Sequence, residues 1–308
     1  MSRRRKNAIV QRLEYALYRL VSLMVRRASD RSIARWGERI GAMAATILRG
    51  RNRLALRNLT ATFPERSAGE LRTILKSCWR HFGRETLESI RLQHLPPTAI
   101  AERCPSVHAE LLEEGLARGH GVILISAHYG GWEVAGLAVM SLVKNVRTVA
   151  RPLDNDLLER DLQRIRAQTG AEVLDKNKAA RGLMKALSEN AVVVLLPDQA
   201  VLPREGIEVP FVGRPAWTTD APAKMALRYG SRIVFAFCIP DGTRHRLEFE
   251  EPIDVERLPE EERDVVRLTV RINEVISRRI VEDPHLWLWM HDRWKGTAQV
   301  EGHRTHSE

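Results

Sequence analysis

His128 ends an apolar run in "GVILISAHYGGWE" (121–133), two glycines follow, and Glu133 comes five positions after the histidine. An imidazole within reach of a carboxylate suits general-base chemistry. The carboxylate holds one ring nitrogen and fixes the tautomer, which leaves the other nitrogen free to take a proton from a hydroxyl. On one continuous helix, residues five apart are rotated by about 140° and share no face. With His128 on a strand-to-helix turn, Gly130 and Gly131 let the backbone bend, and Glu133 falls in the first helical turn, where a carboxylate also suits the helix dipole. Two further apolar runs end in chemically useful residues. These are Arg151 in "ARPLDN" and Asp198 in "LLPDQ", the latter followed by the Pro/Gly-rich loop "AVLPREGIEVPFVGRPAWTT" (200–219).

Bringing those three run ends together is a task for a sheet. After "HLPP" (94–97), short β-branched runs ("GVILISAH", "VRTVARP", "AEVLD", "AVVVLLPDQ", "RIVFAFCIP") alternate with helical stretches near 132–143, 155–169, 177–190 and 218–230. Nearly continuous apolar strands separated by helices imply an α/β fold with a mostly parallel sheet covered on both faces. In such sheets ligands collect beyond the carboxyl ends of the strands, where His128, Arg151 and Asp198 fall. "HRLEFEEPIDV" reads as one more strand near an edge, and "EEERDVVRLTVRINEVISRRIVED" as a long final helix. The first hundred residues keep helical periodicity, and Ser67 with Glu70 resembles a capping box. The expected organisation is a helical N-terminal part over 1–105, an α/β core over 106–295 and a disordered tail over 296–308.

The chain has 308 residues, 44% of them hydrophobic and 29% charged, an ordinary globular balance. A net charge of +10 favours anionic partners without choosing among nucleic acid, anionic lipid and phosphorylated substrates. Cys78, Cys104 and Cys238 are few and far apart, which argues against a disulfide framework or a zinc site and reads as buried, inert thiols. At the N-terminus Ile9, Leu13, Leu17, Leu20 and Met24 recur at helical spacing, with arginines interrupting and flanking them. No stretch of about 18 uncharged apolar residues exists to span a bilayer. The pattern fits an interfacial amphipathic helix; a stripe packed on its own domain is the general alternative. Arg26, Arg27 and "RGRNRLALRN" (49–58) add basic groups that anionic head groups attract.

There is no Gly-x-Ser-x-Gly elbow and no marked serine or cysteine nucleophile, so a hydroxyl activated by His128 would belong to a substrate and react by direct transfer. The competing readings are a structural histidine at a strand end, a metal-dependent hydrolase, and a non-catalytic lipid- or RNA-binding protein. His-Glu-x-x-His, Walker A and Gly-x-Gly-x-x-Gly motifs are absent. So is any RNP-like motif or Cys/His knuckle, and no nucleic-acid partner is expected.

Taken in order, "RNLTATFPERSAGE", "SAHYGGWE", "ARPLDN", "PDQ", "VPFVGRPAWTT", "APAKMALRYGS" and "PHLWLWMHDRWK" resemble the bacterial lipid A biosynthesis (late) acyltransferases, the lauroyl and myristoyl type within the glycerophosphate-type acyltransferases. The similarity covers nearly the whole chain. It implies transfer of a fatty acyl group from an acyl carrier protein thioester to a hydroxyl of a phosphorylated glucosamine lipid, a lipid A precursor, at the cytoplasmic face of the bacterial inner membrane, with no cofactor and no metal. Related enzymes acylate phosphatidylinositol mannosides or other lipids such as lysophospholipids, often from acyl-CoA. The resemblance makes His128 the general base and Glu133 its orienting carboxylate. It gives Arg151 a structural or phosphate-binding role, since a guanidinium offers paired donors to an anion, and makes Asp198 its ion-pair partner. Arg204, Arg214 and Thr218 are expected at the acceptor's anionic head, and Gly130, Gly131 or Gly206 to supply backbone donors to the oxyanion. Many family members open with a hydrophobic anchor. The arginine-dotted helix here implies peripheral or monotopic attachment instead, and Trp287, Trp289 and Trp294 are either interfacial anchors or core residues.

Overall fold

A computed structural model describes residues 7–150, 152–168, 171–175 and 179–297. The N-terminal segment is helical as the periodicity predicts, with α1 (Ala8–Arg27), α2 (Asp30–Ile47), α3 (Arg49–Thr62), α4 (Ala68–Leu92) and α5 (Pro97–Arg103). The capping box at α4 is present. The Ser67 amide donates to Glu70 Oε2 at 2.8 Å, and the Glu70 amide donates to Ser67 Oγ at 3.3 Å, so two otherwise unpaired amides are satisfied where the helix starts. Pro97 closes this helical segment by opening the short α5, where its missing N–H costs nothing.

Strands and helices then alternate: β1 (Ser106–Val107), α6 (Glu110–Ala117), β2 (Val122–Ile125), α7 (Trp132–Leu142), β3 (Val146–Ala150), α8 (Asp156–Gln168), β4 (Ala171–Asp175), α9 (Ala179–Ser188) and β5 (Val192–Leu195). A hairpin of β6 (Ile207–Phe211) and β7 (Arg214–Thr218) intervenes before α10 (Ala221–Tyr229), β8 (Arg232–Asp241), β9 (Arg244–Ile253) and α11 (Val265–Glu282). The main sheet runs β1-β9-β8-β2-β5-β3-β4, and every neighbouring pair is parallel except β8 with β9. Side chains of β2 alternate between its faces. Ile123 and Ile125 join one core with Leu59, Phe82 and Phe235, while Val122 and Leu124 join a second with Val134, Ala138 and Leu247. The first core takes residues from both α3–α4 and the sheet.

The loop expected over 200–219 contains the β6–β7 hairpin. Pro210 and Pro215 face each other across it, and Val212 and Gly213 both take positive φ, at 47° and 73°. That is the backbone a two-residue hairpin turn demands, although a β-branched residue rarely adopts it. Tertiary contact overrides the local preference: Val212 is buried and its amide donates to Ser277 Oγ at 2.9 Å. Trp287, Trp289 and Trp294 are core residues. They are buried: Trp289 stacks on Trp294, Trp287 meets Trp289 edge-on, and Phe211 packs at a tilt against Trp287 and Trp294. Most of the tail from Gly296 lies outside the described residues.

Helices α2 and α4 cross closely enough that glycine is required on both. A Cβ on Gly83 would collide with the Gly37 carbonyl oxygen, and one on Gly41 with the Trp79 carbonyl oxygen. Gly83→Ala therefore forces the helices apart. Overpacking of this kind costs about 1–3 kcal/mol, and urea unfolding of the variant should show a loss of that size.

Candidate active site

The register of the central strands builds the site. β2 and β5 run parallel with Ile125 opposite Leu195. Continuing each chain by the same three residues sets His128 beside Asp198 at the carboxyl edge of the sheet, where parallel α/β folds place their ligand sites. The pair is closely bonded. His128 Nδ1 lies 2.9 Å from Asp198 Oδ1, and the His128 backbone amide donates to Asp198 Oδ2, also at 2.9 Å. The indole N–H of Trp287 donates to the same oxygen at 2.9 Å. Asp198 is buried. Burial alone would raise its pKa, but the His128 ring and these three donors outweigh it and hold the carboxyl below the ordinary aspartate value. Burial likewise disfavours a charged His128, yet the Asp198 charge, its hydrogen bond and the more distant Glu133 charge together raise the ring's pKa above the ordinary histidine value.

An ionised Asp198 only accepts, so Nδ1 carries the proton and Nε2 presents its lone pair. The Gln199 carboxamide nitrogen stands 3.0 Å from that Nε2. His128 keeps 21% of its side chain exposed, so a substrate can reach it. It lines a cavity of about 680 Å3 together with Gln199 and Ser126, and the lining also takes in Leu124, Val139, Met140, Val146, Leu162 and Leu183. A histidine whose far nitrogen is fixed, set beside an apolar cavity, can deprotonate a hydroxyl next to a long hydrocarbon group.

The turn carrying His128 is held by the C-terminal segment. Leu288 donates to the His128 carbonyl at 3.1 Å, and Gly130 donates to the Leu286 carbonyl at 2.9 Å. Gly130 has φ of 57°, and a Cβ there would strike the Cys238 carbonyl oxygen. At Gly131 a Cβ would lie 2.6 Å from Glu85 Oε2, the oxygen that pairs with buried His245 at 2.7 Å. Both glycines thus permit close backbone approach as well as a bend.

Several expectations need correction. The carboxylate bonded to His128 is Asp198, while Glu133, exposed in the first turn of α7, acts on the ring only through its charge. The neighbouring strand delivers its acid directly alongside the ring, whereas the residue before Glu133, Trp132, packs against the imidazole with centroids 5.6 Å apart. Gly130 and Gly131 do not offer oxyanion donors, because their amides are spent at 2.9 Å on the carbonyls of Leu286 and Cys238. Thr218 is buried and its hydroxyl sits among Arg293, Asn273 and the Ala216 carbonyl, so it belongs to the interior. Gly206 serves a close approach to the Thr218 carbonyl, Arg214 lies over the Trp294 ring at 4.2 Å, and Arg204 is exposed beside Glu205; none of the three lines the cavity. Arg151 lies outside the described residues.

Three contributors are absent from the sequence-based set: Gln199, Trp287, and His291, whose Nε2 accepts the Ala200 amide at 3.1 Å. All three stand in segments quoted above, "PDQ" and "LWLWMHDRW", but only the folded chain reveals which atoms meet. The cysteines are buried and free, and burial pushes the Cys78 thiol up to about 12, so it is not a nucleophile near neutrality. Among the described residues no three His, Cys, Asp or Glu side chains gather as a potential metal site.

Residues 3–296 match the family of bacterial lipid A biosynthesis acyltransferases. The chain is similar to the lipid A biosynthesis palmitoleoyltransferase of Escherichia coli K12, 26% identical over 262 residues that cover 84% of this chain and 83% of that protein. It is similar to the lipid A biosynthesis lauroyltransferase of the same organism, 26% identical over 271 residues and 85% of each chain. It also resembles the phosphatidylinositol mannoside acyltransferase of Mycobacterium tuberculosis H37Rv, 28% identical over 218 residues that cover 69% of this chain and 67% of that protein.

The shifts on His128 and Asp198 fix the direction of a pH response. The raised histidine stabilises the fold below its unfolded pKa and loses that contribution as pH rises through its folded value. The lowered aspartate stabilises above its unfolded pKa and loses that contribution as pH falls through its folded value. Asp198→Asn removes the main influences that raise the ring pKa and leaves its burial in place. An NMR titration of the His128 ring should then show the pKa falling below the ordinary histidine value; an unchanged pKa would mean that Asp198 does not control the ring.

Proposed function

The chain belongs to the bacterial lipid A biosynthesis acyltransferase family and is an acyltransferase, and from that premise we propose that it moves a fatty acyl group from an acyl carrier protein thioester to a hydroxyl of a phosphorylated lipid A precursor, with His128 as the general base. The observation that carries this reading is the His128–Asp198 pair beside the 680 Å3 cavity. His128 Nε2 takes the acceptor's hydroxyl proton as its oxygen attacks the thioester carbonyl. Asp198 holds the imidazolium that forms, and the same proton then goes to the departing thiolate. Direct transfer accounts for a base that, among the described residues, has no hydrogen-bonded serine or cysteine. The apolar cavity suits the acyl chain, with each buried methylene contributing about 0.8 kcal/mol. A phosphatidylinositol mannoside acceptor with acyl-CoA as donor is the second reading, favoured by the 28% identical mycobacterial relative.

Helix α1 supports attachment to an anionic membrane surface, proposed as the cytoplasmic face of the inner membrane. Ile9, Leu13, Leu17 and Leu20 are 66%, 66%, 63% and 56% exposed, so this stripe does not pack on its own domain. Among the described residues no helix is long and apolar enough to cross a membrane. An exposed apolar stripe bordered by Arg12, Arg19, Arg26 and Arg27 suits a helix lying in the head-group layer.

Two experiments test these statements. Mass spectrometry of lipid products should find an acceptor heavier by one acyl group with wild-type protein and at least about a hundredfold less with His128→Ala, since a general base contributes roughly 10²–10⁴. Product formed at the wild-type rate by the variant would overturn the mechanism. Leu13→Asp with Leu17→Asp changes only exposed positions, so the protein should stay folded yet no longer sediment with phosphatidylglycerol vesicles; unchanged sedimentation would place the contact elsewhere.

A further inference from the structure

Acyl transfer needs a donor for the negative charge that grows on the carbonyl oxygen, and the backbone around the base has little left to offer. The His128 amide goes to Asp198, Tyr129 to the Ala127 carbonyl at 2.7 Å, Gly130 to Leu286 and Gly131 to Cys238. On the Asp198 side the Ala200 amide goes to His291. Among the described residues, the neutral donor still in contact with the base is the Gln199 carboxamide. Its nitrogen is 3.0 Å from His128 Nε2, and its side chain lines the same cavity. The amide must present N–H there, because the other ring nitrogen holds its proton for Asp198 and a carbonyl oxygen has no hydrogen to give a lone pair.

We infer that Gln199 is a catalytic residue that donates to the thioester oxygen as it becomes an oxyanion. This rests on the acyl-transfer reading given above. The amide stands at the position beside Nε2 that an acceptor hydroxyl must take. When the hydroxyl binds there, the amide is displaced by about one hydrogen-bond length and faces the carbonyl under attack. The acceptor O–H proton passes to Nε2, the new C–O bond forms, and the carbonyl π pair moves onto oxygen, where the Gln199 N–H meets it. Collapse re-forms the carbonyl and breaks the C–S bond, and the thiolate leaves with the proton from Nε2. A glutamine suits both positions because it stays neutral whether His128 is protonated or not. Its other end carries a carbonyl that can accept from the imidazolium midway through the reaction.

Kinetics of the full-length protein on anionic vesicles, with an acyl carrier protein thioester and a phosphorylated glucosamine lipid, test this assignment. Gln199→Leu keeps the bulk and removes the donor. Its kcat should fall about 10²–10³-fold, as for other oxyanion donors, with KM for both substrates nearly unchanged and thermal melting at or above the wild-type temperature. Gln199→Glu should lose a similar factor and also move the acidic limb of the pH profile upward, because a carboxylate then faces Nε2 and raises the pKa of the base. A purely structural role would instead lower the melting temperature or raise KM, without a selective loss of kcat in Gln199→Leu. Gln199→Leu turning over within threefold of wild type would overturn the inference and point to the first turn of α7 as the donor. Wild-type protein that forms no acylated lipid with this pair or with acyl-CoA would instead sink the acyl-transfer reading, and this assignment with it.

Discussion

The site depends on the hydrogen-bonded pair of His128 and Asp198, and that pair depends on the parallel register of two strands. Because β2 and β5 advance in step from Ile125 and Leu195, their next few residues emerge side by side without a loop having to find its way. A buried carboxylate is costly unless every oxygen is served. Here the imidazole, the His128 amide and the Trp287 indole serve both oxygens, which ties the middle of the sheet to the C-terminal segment. Loss of the indole contact would leave a buried charge short of a donor, so Trp287 adds to the His128 contacts in lowering the pKa of a residue 89 positions away.

The same architecture links the cavity to the exposed stripe of α1. Helix α8 contributes Leu162 and Ile165 to the cavity lining, and it is bonded to α1 through Tyr15 with Asp161 at 2.8 Å and Asn155 with the Gln11 carbonyl at 3.0 Å. The polar contacts lie on one side of α1 and the exposed leucines on the other. One helix therefore supports the cavity wall and presents an apolar stripe outward. A soluble enzyme would have little reason to leave Leu13 and Leu17 uncovered, whereas an enzyme acting on lipid places such a stripe where its substrates lie.

The fold class was legible because local signals were strong and consistent: β-branched runs, helical periodicity, the Ser67–Glu70 capping box and the Pro97 helix start. His128 and Asp198 were legible as strand ends. Their pairing was not, because strand order and register are tertiary facts. Sequence proximity favoured Glu133, five residues away, over Asp198, seventy residues away yet adjacent in the sheet. The β6–β7 turn was hidden by the improbable φ of Val212, which burial and Ser277 enforce. Thr218 looked like a surface hydroxyl in a polar loop, but Arg293 and Asn273 enclose it. Gln199 sat inside a quoted motif without distinction until its amide was found against Nε2.

The central claim is that His128 acts on a substrate hydroxyl and that no acyl group is passed through the protein. Rapid-quench intact-protein mass spectrometry tests it most directly. The protein is mixed with excess acyl thioester, with and without acceptor lipid, and the sample with acceptor confirms turnover. The account predicts protein of unmodified mass at every time point in both series. A stoichiometric increase by one acyl group in the absence of acceptor, discharged when acceptor is added, would contradict it.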